Sequence, residues 1–239
     1  MGKSNRDTIG VNDCQILAHY KYEADQYILT LSSKEIAETT QPGQFVHLSV
    51  SGILAMRRPI SVMSVDKDNG TFDLLYKIVG EGTRQLADRK IGDMLSVIGP
   101  IGNGFQMTDK KIPLLIGGGV GMPPIIAIAQ NIKDNDYFSP YVILGSEVPF
   151  PFDTVSSNLG GFYSSKIHTM PLLEEWGVQA GLTSLQSFDG VYDGYVTGLA
   201  KEYLDSLSEA DLLNVEIFTC GPHPMLEAWL FYTSDAADE

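Results

Sequence analysis

The stretch LLIGGGVGMPPIIAIAQNI, residues 114–132, decides how the second half of the chain folds. An apolar run, IPLLI, ends in Gly117-Gly118-Gly119. A short run apolar on every residue reads as a strand covered on both faces, the habit of parallel sheets. Glycines let the backbone turn tightly and approach a ligand closely, because no Cβ intrudes. The chain then enters an apolar helix at Pro123, a first-turn residue whose missing N–H would have had no partner anyway. The start of such a helix offers orphan N–H groups and a positive dipole end, which suits a pyrophosphate. The pattern departs from G-x-G-x-x-G, since the third glycine position falls on Met122. The stretch alone fits both a nucleotide-binding turn and a plain tight turn.

YVILG (141–145) and VEIFTCG (215–221) repeat the grammar of solid apolar strands, so this half reads as a parallel sheet with helices on both faces. Residues 147–190, rich in Pro, Ser and Gly, read as a long insertion or loops with a short strand or helix that the pattern does not place. The first hundred residues differ. Cys14, Ile16, Ala18, Tyr20 and Tyr22 alternate with more polar neighbours, as do Tyr27, Leu29 and Leu31; Val46, Leu48 and Val50; and Phe72, Leu74, Tyr76 and Ile78. Period-two runs separated by Pro42-Gly43 and Asp68-Asn69-Gly70 predict antiparallel strands, closed or partly closed into a small barrel. A short helix is expected over Thr83–Arg89 and a strand over Met94–Ile98. The expected division is 1–107 for the barrel and 108–239 for the α/β domain.

Composition bounds the function. At 239 residues, 44% hydrophobic and 19% charged, the chain can build two real cores. A formal net charge of −14 argues against nucleic acid or an anionic membrane as partner. No apolar run reaches the roughly 20 residues that span a bilayer, and the N-terminus has no signal-peptide stretch, so a cytoplasmic location is expected. The two cysteines, Cys14 and Cys220, have no neighbours at metal-ligand spacing, so no metal site is expected. The histidines are scattered: His19 and His47 read as strand residues and His223 as solvent-facing near a helix start.

In RRPISVMS (57–64) adjacent arginines point to opposite faces, so one can aim its fork at phosphate oxygens. Pro59 places the segment at an edge or a bulge. Two solvated arginines on a barrel rim fit equally well. LLYKIVGEGT (74–83) adds a second place where backbone amides can meet phosphate, and GPIGNGF (99–105) closes the barrel with three glycines.

Arg58-Pro59-Ile60-Ser61, Leu75-Tyr76-Lys77, Gly82-Thr83, Gly99-Pro100 with Gly102-Asn103-Gly104-Phe105, Gly117 to Gly121, and Cys220-Gly221-Pro222 follow one another at family spacing. In this the chain resembles the ferredoxin–NADP reductase superfamily, and within it the electron-transfer subunits of class 1B dihydroorotate dehydrogenases. The resemblance implies an N-terminal FAD-binding barrel and a C-terminal NAD-binding α/β domain. Arg58 would hold the FAD pyrophosphate and Ser61 would sit by the flavin ring. Leu75, Tyr76 and Lys77 would line the flavin site, with Gly82 and Thr83 capping the phosphates. Gly117, Gly118, Gly119, Val120 and Gly121 would take the NADH pyrophosphate. Cys220, followed by Gly221 and Pro222, would approach the nicotinamide. Ser61 and Cys220 are thus the catalytic candidates, and Cys220 also fits a buried thiol with no role. The resemblance further implies an FMN-containing catalytic subunit as partner, hence a hetero-oligomer, and a role in pyrimidine biosynthesis.

Members of this family carry a four-cysteine [2Fe–2S] segment after the CGPxPML helix, whereas no cysteine follows Cys220 here. The chain therefore supplies no ligands for that cluster. The final apolar pattern, Met225, Leu226, Trp229 and Leu230, dissolves into YTSDAADE, and the expectation is a natural protein that continues past residue 230. A cluster-less variant with a short acidic tail is the alternative. Two other functions stay open: the small subunit of an NADH-dependent ferredoxin–NADP oxidoreductase or sulfide dehydrogenase, and a nucleotide-binding scaffold without redox turnover. Gly145-Ser146-Glu147 has no arginine nearby for a 2′-phosphate, which favours NADH over NADPH.

Overall fold

The computed structural model describes residues 9–50, 56–164 and 166–228. The expectations for the chain from Trp229 onward lie outside these residues. Two compact units emerge, Met1–Gln106 and Met107–Glu239.

The first unit contains β1 (Gly10–Tyr22), β2 (Gln26–Ser32), α1 (Lys34–Thr39), β3 (Phe45–Leu48), β4 (Arg58–Asp66), β5 (Thr71–Lys77), α2 (Glu81–Ala87) and β6 (Met94–Ile101). The strands close into an antiparallel barrel in the order β1-β2-β5-β4-β3-β6, with β6 returning to β1. The period-two residues fill it: Cys14, Ile16, Leu29, Leu31, Val46, Leu48, Phe72 and Leu74 are all fully buried. Each such large aliphatic or aromatic side chain contributes about 1.5–3 kcal/mol relative to exposure. On the outward face a polar ladder crosses three strands. Asp73 accepts from Thr30 Oγ1 at 2.6 Å and from Ser64 Oγ at 2.7 Å.

Two features of the barrel were not anticipated. The helix α1 is only six residues long and is announced by one cap, Ser33, whose hydroxyl accepts from the Ile36 amide. The second is how β4, expected to lie at an edge or a bulge, takes the second of these alternatives around Pro59. It lies at no sheet edge, because β4 is flanked by β3 and β5. Pro59 pairs with His47 of β3, while pairing with β5 begins only at Val62. The missing N–H thus falls where β4 has a neighbour on one side alone, and a register shift follows between Val62 and Ser64.

The second unit contains β7 (Ile112–Gly118), α3 (Met122–Ile132), β8 (Tyr141–Gly145), the short pair β9 (Val155–Ser156) and β10 (His168–Thr169), α4 (Pro171–Glu175), β11 (Gln179–Ser184), β12 (Tyr192–Asp193), α5 (Val196–Ser206), α6 (Glu209–Leu212) and β13 (Val215–Cys220). Five strands form a parallel sheet in the order β12-β11-β8-β7-β13. One face, carrying Leu114, Ile116, Tyr141 and Ile143, packs on Val196, Leu199 and Ala200 of α5. Alternation turns Leu115, Val142 and Leu144 to the other face, where α3 lies with nine buried residues. Coverage on both faces is why these strands read as solid apolar runs.

The stretch 147–190 holds short elements, β9, β10 and α4, and also β11, the third strand of the parallel sheet in chain order. Its sequence, QAGLTS, hides the strand behind a glycine and small polar residues. Gly181 is demanded by crowding, since a Cβ there would stand 2.7 Å from Leu199 Cδ2 and 2.9 Å from the Tyr141 hydroxyl. Ser184 is 2% exposed and still satisfied, because its hydroxyl donates to the Ser146 carbonyl at 2.8 Å.

The glycine turn after β7 is set by two different constraints. Gly119 has φ of +55° and open space around its Cβ position, so only the backbone conformation selects it. Gly121 has an ordinary φ of −87°, but a Cβ there would lie 2.4 Å from the Cys220 carbonyl oxygen and 2.7 Å from Gly221 Cα. Gly119→Ala should therefore cost about 1–2 kcal/mol of unfolding free energy, and Gly121→Ala about 3 kcal/mol or more, because backbone must move. Denaturant melts of the two variants check the order; equal costs, or the reverse order, would contradict the packing described.

Candidate functional site

In the barrel, the two adjacent arginines have separate fates. Arg57 is a latch: its Nη1 donates to the Ser96 carbonyl at 2.7 Å and its Nη2 bonds to Ser96 Oγ at 3.0 Å, fastening the segment before β4 to β6. Arg58 makes only long contacts, Nη1 to the carbonyls of Met56 at 3.3 Å and Arg57 at 3.5 Å. No carboxylate pairs with it among the described residues. Its guanidinium lies over the first turn of α2, where a Cβ on Gly82 would stand 1.9 Å from Arg58 Nε. Glycine at this position is what lets the cation reach the helix start.

The α2 turn is built by Thr83. Its hydroxyl accepts from the amides of Val79 at 3.0 Å and Gly80 at 3.3 Å, and lies 3.1 Å from the Gly80 carbonyl. The first-turn amides have no intrahelical acceptor by construction. A fixed cation and helix-end amides suit a pyrophosphate, so the residues present fit the phosphate half of FAD.

The outward face of the neighbouring strands carries Pro59, Ser61 and Phe45, with Ser61 in register with Phe45. Ser61 is half-buried, and its hydroxyl has no hydrogen-bond partner among the described residues. Alternation separates the three residues on β5. Tyr76 turns into the barrel, where it stacks on Tyr27 with centroids 5.2 Å apart, while Leu75 and Lys77 take the other face. The Tyr76 side chain is therefore committed to the core, and only its backbone is free to serve a ligand on the outer face. Ile60 likewise points inward.

Behind Tyr76 lies His19, a strand residue of β1 as expected. The Arg89 carbonyl, 3.1 Å from His19 Nδ1, can only accept, so Nδ1 carries the proton and Nε2 accepts from the Tyr76 hydroxyl at 2.8 Å. Burial pushes the His19 pKa below its ordinary value, which keeps the ring neutral.

GPIGNGF meets protein instead of ligand. A Cβ on Gly99 would stand 2.6 Å from Val46 Cγ1, and one on Gly104 would stand 2.7 Å from Gln41 Cβ. The Gly102 carbonyl accepts from Gln44 Nε2 at 2.8 Å, and Phe105 covers Gly43. The glycines close the end of the barrel.

In the second unit the chain reverses its spatial order at β7. The next strand, β8, lies on one side and the last, β13, on the other. Open α/β sheets bind ligands in the crevice at such a point, at the carboxyl ends of the strands. Gly117 and Cys220 are register partners there. A Cβ on Gly118 would stand 2.7 Å from Met225 Sδ, and one on Gly221 would stand 2.5 Å from Met225 Cε. The turns after β7 and β13 thus fit together at glycine-only distances, with Pro222 accepting from the Met225 amide to start the helical residues 223–228. Val120 is exposed. The Cys220 thiol is half-buried, and burial raises its pKa, so it stays protonated at neutral pH.

The start of α3 does not offer the orphan amides expected of it. The helix α3 begins at Met122, one residue before Pro123, and its first turn offers no donor. The Met122 amide is bonded to the Gly119 carbonyl, and Pro123 and Pro124 have none. Donors for a pyrophosphate must come from the glycine turn itself, with α3 adding only its dipole. The half-buried, left-handed Gly119, with open space at its Cβ position, leaves the backbone room for this, and so the residues fit a dinucleotide phosphate.

Among the described residues no group of His, Cys, Asp and Glu could hold a metal ion, and no helix is long and apolar enough to cross a membrane. Cys14 and Cys220 are both free. Cys14, inside the barrel, has its pKa pushed up to about 12 by burial.

Residues 14–105 match the family model of the oxidoreductase FAD-binding domain. The chain is 32% identical over 209 residues to the dihydroorotate dehydrogenase B (NAD(+)) electron transfer subunit of Bacillus cereus (strain B4264), covering 84% of this chain and 70% of that protein. The same identity and coverage hold for the corresponding subunit of Bacillus anthracis (strain CDC 684 / NRRL 3495). Among solved structures, the NADH-dependent reduced ferredoxin-NADP oxidoreductase aligns with a TM-score of 0.75 at 22% identity, over 94% of this chain and 73% of that one. The cytochrome b5 reductase domain of Ulva prolifera nitrate reductase aligns with a TM-score of 0.62 at 15% identity, over 91% and 89%. The chain is a FAD-dependent NAD(P)H oxidoreductase subunit whose cofactors are FAD and NAD(H). It belongs to the family of dihydroorotate dehydrogenase B (NAD(+)) electron transfer subunits.

Proposed function

We propose that the chain takes a hydride from NADH in its second unit and passes the electrons, through FAD in its barrel, to an FMN-containing dihydroorotate dehydrogenase catalytic subunit in pyrimidine biosynthesis. The barrel would be the FAD-binding domain and the α/β unit the NAD-binding domain, with the division near residue 107. The observation that carries the reading is the match to electron transfer subunits across 84% of the chain. Bound FAD supplies the redox chemistry, accepting the two electrons and proton that NADH gives up as hydride.

The side chains have few tasks. Arg58 holds the pyrophosphate over Gly82 and Thr83. Ser61, Leu75 and Lys77 face the flavin, with Pro59 shaping the strand and the backbone of Tyr76 contributing. Gly117 to Gly121 cradle the dinucleotide phosphate. Cys220, as a neutral thiol backed by Gly221 and Pro222, borders the nicotinamide and presents no charge to a migrating hydride. No general acid or base is needed, because hydride transfer moves no separate proton between protein and substrate.

Arg58→Ala should weaken FAD binding by about 10- to 100-fold, the loss of one charge-assisted contact, and leave the barrel's melting transition nearly unchanged. Arg57→Ala should do the opposite, lowering the melt by freeing β6 while leaving FAD affinity near wild type. FAD titration and thermal melts of both variants separate the roles; identical behaviour of the two would contradict the assignment. The partner is tested by co-expressing the chain with a dihydroorotate dehydrogenase B catalytic subunit. A stable complex on size exclusion is expected. No complex, or preferential capture of a large flavin and iron–sulfur subunit instead, would overturn the partner assignment.

A further inference from the structure

His19 stands on β1, half-buried, with its ring 5.3 Å from that of Tyr27 and 6.0 Å from that of Tyr76. Nothing in the hydride path uses it. Its two ring nitrogens nevertheless hold different pieces of the barrel unit. Nε2 accepts from the Tyr76 hydroxyl on β5 at 2.8 Å, and Nδ1 donates to the Arg89 carbonyl just past α2 at 3.1 Å. Tyr76 is 3% exposed, so water does not readily replace the acceptor that His19 supplies. Arg89 carries the connection further. Its amide donates to the Leu86 carbonyl, which fixes it to the last turn of α2. Its Nε and Nη2 donate to the Val50 carbonyl at 3.1 and 2.7 Å, in the segment that follows β3.

These are pieces that bound FAD needs at a fixed spacing. The strand β5 offers the flavin the backbone of Tyr76 and the face that carries Leu75 and Lys77. The helix α2 offers the pyrophosphate its first turn, at Gly82 and Thr83. A helix makes no ladder bonds to a strand, so side chains set its distance from β5. Leu86 packs α2 onto the barrel core, a contact without direction. His19 adds two directional bonds, one to each piece. A neutral imidazole suits this task, because one rigid ring presents a donor and an acceptor at different positions.

We propose that His19 is a positioning residue for FAD: by bonding Tyr76 with one nitrogen and the end of α2 with the other, it holds the flavin-lining strand and the phosphate-binding helix at the spacing that one FAD molecule bridges. The proposal rests on the assignment of FAD to the barrel. Cutting either bond lets the pieces drift in the flavin-free chain. The apparent affinity then falls by the fraction of chains that still hold the binding arrangement. A histidine that merely fills the core would change stability alone.

The test is a fluorescence titration of FAD into the FAD-stripped chain, with a thermal melt of the same flavin-free samples. Tyr76→Phe keeps the ring and loses only the hydroxyl. It should weaken FAD binding by about five- to tenfold, the loss of one hydrogen bond. His19→Leu loses both bonds and should weaken binding by about tenfold or more. The double variant should bind no more weakly than His19→Leu, because the two changes cut a shared bond. His19→Asn, whose amide stands where Nδ1 does, should recover part of the loss. Leu31→Val trims a fully buried residue of β2 that takes no part in these bonds. It should lower the melt and leave the affinity near wild type.

Wild-type affinity in Tyr76→Phe overturns the positioning role and leaves FAD in the barrel. An equal loss in Leu31→Val overturns it too, since destabilisation alone then accounts for the effect. Should His19→Leu not fold, the comparison of Tyr76→Phe with Leu31→Val still decides. A wild-type chain that does not bind FAD overturns the FAD reading and this inference with it.

Discussion

The α/β unit depends on two stretches of backbone approaching within the distance that only glycine permits. Gly121, after β7, sits against the carbonyl of Cys220 and the Cα of Gly221, after β13. Gly118 and Gly221 both close on the Met225 side chain. This contact joins the strands on either side of the chain reversal at their carboxyl ends. It sets where α3 and the helical residues 223–228 begin, and it brings Cys220 alongside the glycine turn. Gly117, Gly118 and Gly121 answer to the fit of protein on protein; Gly119 answers to its left-handed backbone and faces open space. Of this glycine-rich motif, which in sequence fits both a nucleotide-binding turn and a plain tight turn, most is taken up by protein contacts, and Gly119 faces open space.

The barrel solves a related problem by a different route. There a cation is brought to a helix start by removing the side chain beneath it, at Gly82. Its neighbour Arg57 is spent on holding the strand that carries it. The separation of the pair follows from strand alternation, with Pro59 placed where β4 lacks a second neighbour and so loses no ladder bond. The glycines of GPIGNGF, which close the end of the barrel, face Val46, Phe45 and Gln41.

The barrel strands were legible because one face of each is buried and the other is not: Tyr27, Leu29 and Leu31, or Phe72, Leu74 and Tyr76, announce themselves by alternation. The parallel strands β7, β8 and β13 were legible for the converse reason, burial on both faces. The strand β11 was not, because Gly181, Thr183 and Ser184 satisfy crowding and hydrogen bonding in a way apolar content does not register. The helix α1 was too short to show a period. For the site, residue types pointed to Arg58 and to the glycine turn, but not to what occupies each group. Only the structure reveals that the Met122 amide is already bonded and that Tyr76 turns inward to His19.

The central claim is that electrons move between NAD(H) and FAD on this chain. The most direct test is an anaerobic visible spectrum of the purified, FAD-loaded chain during titration with NADH. The account predicts a yellow protein whose flavin absorption bleaches as NADH is added. A chain that stays colourless after incubation with FAD, or a bound flavin whose bands NADH leaves untouched, would contradict it.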